Sequence, residues 1–260
     1  MKHSLALILC LLLGGCFLFP DKEDPGNIPP SKLFSDAMDA MDSSNFEEAI
    51  KKFETLESRY PYGKYAEQAQ LEIAYAYYKQ EDPVSASAAC DRFIKLHPTH
   101  PSVDYAYYLK GLANYNENMG LLAYLVNEDM AERDPKTTRE AYDAFKELVT
   151  RFPNSLYAED AGARMRFLRN SLAQHEIHVA RYYMKRKAYV AAANRGQLVL
   201  QNYPQTPAIE EALLIMVQAY DAMGLNQLRD DAERVMRYNF PDSKYLSKVD
   251  DATRPWWKLW

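Results

Sequence analysis

Asn45-Phe-Glu-Glu-Ala49-Ile-Lys-Lys-Phe53-Glu-Thr-Leu-Glu-Ser-Arg-Tyr60-Pro61 is the stretch on which the fold turns. Ala49 and Phe53 stand one helical turn apart, and Pro61 closes the segment because it lacks the N–H that a helix interior needs. Ala37 stands twelve residues before Ala49. Helices cross closely only where side chains are small, so this pair marks a crossing, and Phe53 fills the space beside it.

The same word, an aromatic residue or His before Pro, recurs at His97-Pro98, Phe152-Pro153, Tyr203-Pro204 and Phe240-Pro241, with proline spacings of 37, 55, 51 and 37. Counting back from each proline gives the tetratricopeptide spacing of small, Ala and bulky positions. Repeat 2 has Ala74, Ala86 and Cys90. Repeat 3 has Gly111, Ala141 and Phe145, with an 18-residue insert between its two helices. Repeat 4 has Ala180, Ala192 and Gly196, and its 14 extra residues precede and lengthen its first helix. Repeat 5 is degenerate, with Val217, Arg229 and Glu233, as a terminal capping repeat can be. The expected fold is all-α, a tetratricopeptide α-solenoid of about five helical hairpins over 31–66, 67–103, 104–158, 159–208 and 209–245.

Composition agrees. With 26% charged and 48% apolar residues the chain can bury a core. Its 9 glycines are too few for phosphate-cradling loops, while Ala, Leu, Glu and 20 Tyr suit aromatic-rich helix packing. A chain cut after Gly15 carries 30 basic against 36 acidic residues, which excludes general nucleic-acid binding.

Residues 1–15 have the form of a signal peptide, with Lys2 before the apolar run Leu5 to Leu13, too short for a permanent span. Leu13-Gly14-Gly15-Cys16 resembles the bacterial lipobox, which makes Cys16 the expected lipidation site. Acyl chains there give stable anchoring, since each buried CH₂ contributes about 0.8 kcal/mol. Phe17, rather than an inner-membrane retention Asp, points to the outer membrane. Residues 16–30 form a polar tether rich in Pro and Gly. Cys90 is then left without a disulfide partner, in the bulky core position of repeat 2. Residues 246–260 are a C-terminal tail with Trp256, Trp257 and Trp260.

In such arrays the groove is lined by positions 2, 5, 9 and 12 of each first helix, where position 8 is the small residue. Ser31, Phe34, Met38 and Met41 occupy them in repeat 1, and Gln68, Leu71, Tyr75 and Tyr78 in repeat 2. Repeat 3 has Tyr105, Tyr108, Leu112 and Tyr115. None of the twelve is basic, so the groove suits an extended peptide with aromatic side chains rather than a carboxylate terminus. The alternative is that the tether or the next superhelical turn covers these rings. Repeat 4 changes to Gln174, Ile177, Arg181 and Met184, near Lys185, Arg186, Lys187 and Arg195, either a solvated charged face or a docking surface for an acidic partner. The insert, roughly 116–133, carries the apolar run Leu121 to Val126, which needs a cover.

No catalytic or metal set is complete. His97 and His100 flank a proline turn, and His175-Glu-Ile-His178 is one residue short of the zinc-protease spacing, so both pairs read as surface histidines. Gly-x-Ser-x-Gly, Walker and Cys-x-x-Cys motifs are absent.

From Cys16 to about Asn239 the chain resembles the BamD family, the tetratricopeptide lipoproteins of the outer-membrane β-barrel assembly machine. The resemblance rests on Asn45-Phe-Glu-Glu-Ala-Ile, Arg59-Tyr-Pro-Tyr-Gly, Ala74-Tyr-Ala-Tyr-Tyr-Lys, Asp91-Arg-Phe-Ile, His97-Pro-Thr-His-Pro, Arg133-Asp-Pro, Phe152-Pro-Asn-Ser and Ala193-Asn-Arg. It implies a non-catalytic scaffold at the periplasmic face of the outer membrane, with no cofactor beyond the lipid on Cys16. It further implies N-terminal repeats that receive unfolded outer-membrane precursors, C-terminal repeats that hold BamA, Arg195 on the side that meets BamA, and companion lipoproteins in the complex. The tail from Pro241 departs from the short-tailed members and holds every Trp. Another periplasmic tetratricopeptide lipoprotein, serving envelope or pilus assembly, would share the lipobox and repeats but not the Arg133-Asp-Pro insert. An enzyme acting on peptidoglycan would need the completed site that the sequence lacks.

Overall fold

In a computed structural model of the chain, which describes residues 28–117 and 135–253, each proline word ends a helix in the same way. The N–H groups of Tyr60, His97, Phe152, Tyr203 and Phe240 donate to the carbonyls of Leu56, Phe93, Leu148, Val199 and Met236 at 2.8 to 3.0 Å. These are the last i to i−4 bonds before the prolines, which have no N–H to continue the ladder. Clash with the proline ring also drives the preceding residue out of helical geometry. The ψ angles are +73° at Tyr60, +56° at His97, +51° at Tyr203 and +60° at Phe240.

Eleven helices occur among the described residues, and no strand. They are α1 (Pro30–Asp42), α2 (Phe46–Arg59), α3 (Lys64–Lys79), α4 (Pro83–Leu96), α5 (Val103–Glu117), α6 (Pro135–Arg151), α7 (Ala158–Lys185), α8 (Tyr189–Asn202), α9 (Ala208–Ala222), α10 (Asn226–Asn239) and α11 (Leu246–Thr253). Within four hairpins the turn has one residue in the left-handed region: Ser44 (φ +58°), Glu81 (+59°), Lys187 (+60°) and Gly224 (+71°). The next N–H then reaches back five residues, Asn45 to Ala40, Asp82 to Tyr77, Ala188 to Tyr183 and Leu225 to Tyr220, closing the first helix by a Schellman bond. Asn45 and Asp82 next cap α2 and α4 by accepting from the N–H of Glu48 and Ser85 at 3.4 and 3.0 Å.

The chain divides into two compact units, one ending at Ala76 and one beginning at Tyr77. In the first, α1 packs on α2 with Ala37, Ala49 and Phe53 fully buried. In the second, α4 to α9 pack in succession, each on the next, and α9 also carries α10, α11 and part of α7. Ala86, Ala141, Ala180 and Ala192 have no exposed surface, and neither do Cys90 and Phe145. Gly111 allows α5 to meet α6 so closely that a Cβ there would lie 2.4 Å from the Phe145 ring. The 28-residue α7 shows that the extra residues of repeat 4 extend its first helix. Repeat 5 differs at its second helix, where Ala232 and Met236 are buried and Arg229 instead reaches Asp221 at 2.9 Å. The fold is all-α and built of tetratricopeptide-type hairpins. Cys16, the apolar run of the insert and the three tryptophans lie outside the described residues.

Candidate functional site

The aromatic positions of α5 meet the start of α7. Tyr157, the residue before α7, stacks on Tyr108 at 4.7 Å and 17°, and lies 5.5 Å from Tyr105. Further along, Tyr115 meets Phe167 edge-on at 6.2 Å, and Phe167 is 46% exposed. Between these pairs lies a polar bridge. The Tyr108 hydroxyl donates to Asp160 at 2.7 Å, Arg164 Nε donates to the same oxygen at 2.6 Å, and the Arg164 guanidinium lies 4.8 Å from the Tyr115 ring centre. Burial disfavours charge on Asp160, but hydrogen bonds from Arg164 and Tyr108 outweigh it and hold the carboxyl below its ordinary range. Burial and the bond to Asp160 push the Tyr108 phenol up. The result is a half-exposed face of rings whose orientations are fixed by a charged brace. Such rings offer contact area at low entropic cost.

Tyr105, Tyr108, Leu112 and Tyr115 are all half-buried on this face. Tyr78, also in the second unit, is half-buried. In the first unit Phe34 and Met38 are half-buried, and the Phe34 ring packs on Phe53 at 5.5 Å and Tyr65 at 5.7 Å. Tyr75 is half-buried too, whereas Met41 and Leu71 retain only 7% and 6% exposure and offer a ligand little surface. The Tyr60 hydroxyl donates to the Ile28 carbonyl at 2.9 Å, pinning the end of the tether.

Of the basic candidates, Arg181 forms a bidentate pair with Glu211 at 2.5 and 2.7 Å. Arg195 donates to Glu176 at 2.7 Å, and Glu176 is only 6% exposed. Both arginines therefore bridge helices within the second unit. Burial opposes charge on Glu211, yet hydrogen bonds from Arg181 and Tyr245 bring its carboxyl below the ordinary value.

His97 and His100 pack on Phe93, with their rings 6.5 Å apart. Among the described residues no group of three or more His, Cys, Asp or Glu could hold a metal ion, and no helix is long and apolar enough to cross a membrane. Burial raises the Cys90 thiol to about 12, so it is not a nucleophile near neutral pH. Sequence reasoning missed Tyr157, Asp160, Arg164 and Phe167 because it counted positions along single helices. The overlooked signal is a tyrosine four residues after three of the prolines, Tyr65, Tyr157 and Tyr245. Each leans back on the first helix of the preceding hairpin, at Phe34, Tyr108 and Glu211 respectively.

The sequence profile of the family described as YfiO, outer membrane lipoprotein, matches residues 26–235. The chain belongs to this outer membrane lipoprotein family. Its relatives include the outer membrane protein assembly factor BamD of Neisseria meningitidis serogroup A, 50% identical over 232 residues covering 88% of this chain and 86% of that one. The BamD of Vibrio cholerae is 40% identical over 92% of this chain and 99% of its own, and that of Haemophilus influenzae 35% over 97% and 95%. The YfiO family match thus reaches into both compact units and includes the braced rings, Asp160, Arg164, Arg181 and Arg195, while Tyr245 lies beyond it.

Proposed function

We propose that this chain is a non-catalytic scaffold of outer-membrane protein assembly, anchored through lipid on Cys16 at the periplasmic face of the outer membrane. Family membership and the names of the relatives support the assembly role, and the lipobox supports the anchor. The observation that carries the mechanism is the braced aromatic face of Tyr105, Tyr108, Tyr157, Tyr115 and Phe167. Half-exposed rings held in fixed orientations gain contact area with an extended segment without a further ordering cost, which suits capture of unfolded barrel precursors rich in aromatic side chains. The later helices hold BamA, with Arg181 and Arg195 on or beside the docking surface. No cofactor takes part beyond the covalent lipid. Mild-detergent purification through the C-terminus tests the role directly. BamA and companion lipoproteins are the expected co-purifying proteins, and their absence beside an intact, membrane-bound chain counts against it.

A further inference from the structure

Tyr245, just before α11, differs from its counterpart Tyr157 in what surrounds it. Its hydroxyl donates to Glu211 Oε2 on α9 at 3.0 Å, the same oxygen to which Arg181 Nη2 of α7 donates. Lys244 and Lys248 lie 5.1 and 5.8 Å from the centre of its ring. These five side chains line a cavity of about 500 Å³. Three are cations and one is a carboxylate, and that carboxylate already has its charge met by Arg181 and Tyr245. Both lysines are exposed, and Lys248 also favours the Glu211 carboxylate through its charge. The nearby Glu210 accepts the Ser243 hydroxyl at 2.5 Å, which helps fix the turn that presents Lys244.

Arg181 and Glu211 occupy, in repeats 4 and 5, the helix positions held in repeat 3 by Leu112 and Tyr105. The surface that carries Leu and Tyr in repeat 3 carries an ion pair here, and Lys244 and Lys248 beside that pair make it cationic. A ligand for it must be anionic, because two ammonium groups face the cavity. Three cations against one carboxylate attract a phosphate as well as a carboxylate, so charge alone does not choose between them, and it is the Tyr245 ring, a surface for methylenes, that favours a carboxylate carried on a side chain. Lysines on a tyrosine ring fit a carboxylate at the end of a short methylene stem, with the methylenes on the ring and the oxygens between the ammonium groups.

We propose that this cavity docks an acidic side chain, Glu or Asp, of an extended polypeptide partner. Lys244 and Lys248 supply the charge, the Tyr245 ring forms the floor, and the Arg181–Glu211 pair is the brace that holds Tyr245 in place. The proposal stands on this cavity alone and does not depend on the assembly role above.

Fluorescence anisotropy with the full chain tests it, using a labelled Gly-Ser nonapeptide that carries a pair of glutamates, its glutamine analogue, and inorganic phosphate as competitor. The glutamate peptide is expected to bind saturably, and the glutamine peptide at least about tenfold more weakly, since hydrogen bonds to charged groups exceed neutral ones. Lys244→Ala with Lys248→Ala should also weaken the glutamate peptide about tenfold or more, and the double Lys→Arg variant should retain binding within roughly threefold. Both lysines are exposed, so these variants should keep the helical circular dichroism and melting temperature of the parent. Should the double variant melt early, Lys248→Glu alone serves in its place. Absence of saturable binding, equal binding of the glutamine peptide, or unchanged affinity in the folded lysine variants overturns the proposal. Displacement by phosphate at concentrations where acetate has no effect overturns it too, by making the cavity a phosphate site. Lost peptide binding with BamA still recovered, or the reverse, separates this inference from the assembly role.

Discussion

The ring of Tyr157 lies nearly parallel to that of Tyr108, 4.7 Å away, while the Tyr108 hydroxyl is bound to Asp160. The stack therefore joins two helices, and its outer surface is oriented before any ligand arrives. Tyr157→Ala should weaken binding of an extended peptide ending in an aromatic residue by about 1 to 3 kcal/mol, as truncation of buried aromatic anchors does. Tyr108→Phe keeps the stack and should cost less, about 1 kcal/mol for the lost hydrogen bond. Isothermal titration with both folded variants checks the order. Equal affinity of Tyr157→Ala and the parent would move the peptide site elsewhere.

At Gly111, α5 leaves no room for a side chain. A Cβ would fall 2.4 to 2.8 Å from three atoms of Phe145, a ring with no exposed surface and no room to retreat. Gly111→Ala should therefore lower stability by about 1 to 3 kcal/mol, the range for overpacked cores. Adding Phe145→Leu should restore part of the loss by opening that space. Urea unfolding of the three variants checks this. A neutral Gly111→Ala would mean that α5 and α6 can separate freely.

Cys16→Ala should leave the helices folded and move the protein out of the membrane fraction, or leave the precursor uncleaved. Fractionation after the assembly partners have been removed is the decisive form of the experiment, because a docked partner would otherwise keep the chain at the membrane. A cleaved Cys16→Ala chain that still sediments with membranes would contradict anchoring by lipid.

How much was legible follows from what each signal encodes. Proline words and alanine spacing are local, so Ala49, Ala141 and Ala192 lie fully buried where the repeat places them. Positions along one helix are also local, so Tyr105 and Tyr108 fall on the half-exposed face. What was not legible depends on a second helix. Arg181 and Arg195 look like free cations in the sequence, yet each meets a carboxylate 30 or 19 residues away. Met41 and Leu71 sit at groove spacing, yet close packing leaves them little surface. In repeat 5 the core of the second helix lies at Ala232 and Met236, and Arg229 meets Asp221 instead of packing against the first helix as a small residue would.

Acid should loosen the contact of α7 with α9 through Glu211. Its ordinary value is 4.5, and although burial works the other way, the bonds from Arg181 and Tyr245 lower it in the folded chain. A carboxyl depressed on folding contributes stability that is fully present above its unfolded value and is lost as pH falls through the folded one. The melting temperature should therefore decline below about pH 4.5, and Glu211→Gln should flatten that decline while costing stability at neutral pH. Melting curves at stepped pH for both chains check it. Parallel curves would remove Glu211 from the acid response.

Arg195 is held by Glu176, whose side chain is 8% exposed against 38% for the arginine. Replacing the arginine leaves a nearly buried carboxylate without its donor, and Arg195→Glu sets a second carboxylate beside it. Loss of BamA recovery in Arg195→Glu could then arise from damage to the α7–α8 contact as readily as from a lost docking contact. Combining Arg195→Ala with Glu176→Gln separates the two. Arg195→Ala alone should cost about 1 to 3 kcal/mol, the penalty for an unsatisfied buried group. The double variant should recover most of that, because the stranded charge is gone. If Arg195 also contacts BamA, the stable double variant still fails to recover it. Recovery of both stability and BamA in the double variant would make the arginine a brace between two helices and nothing more.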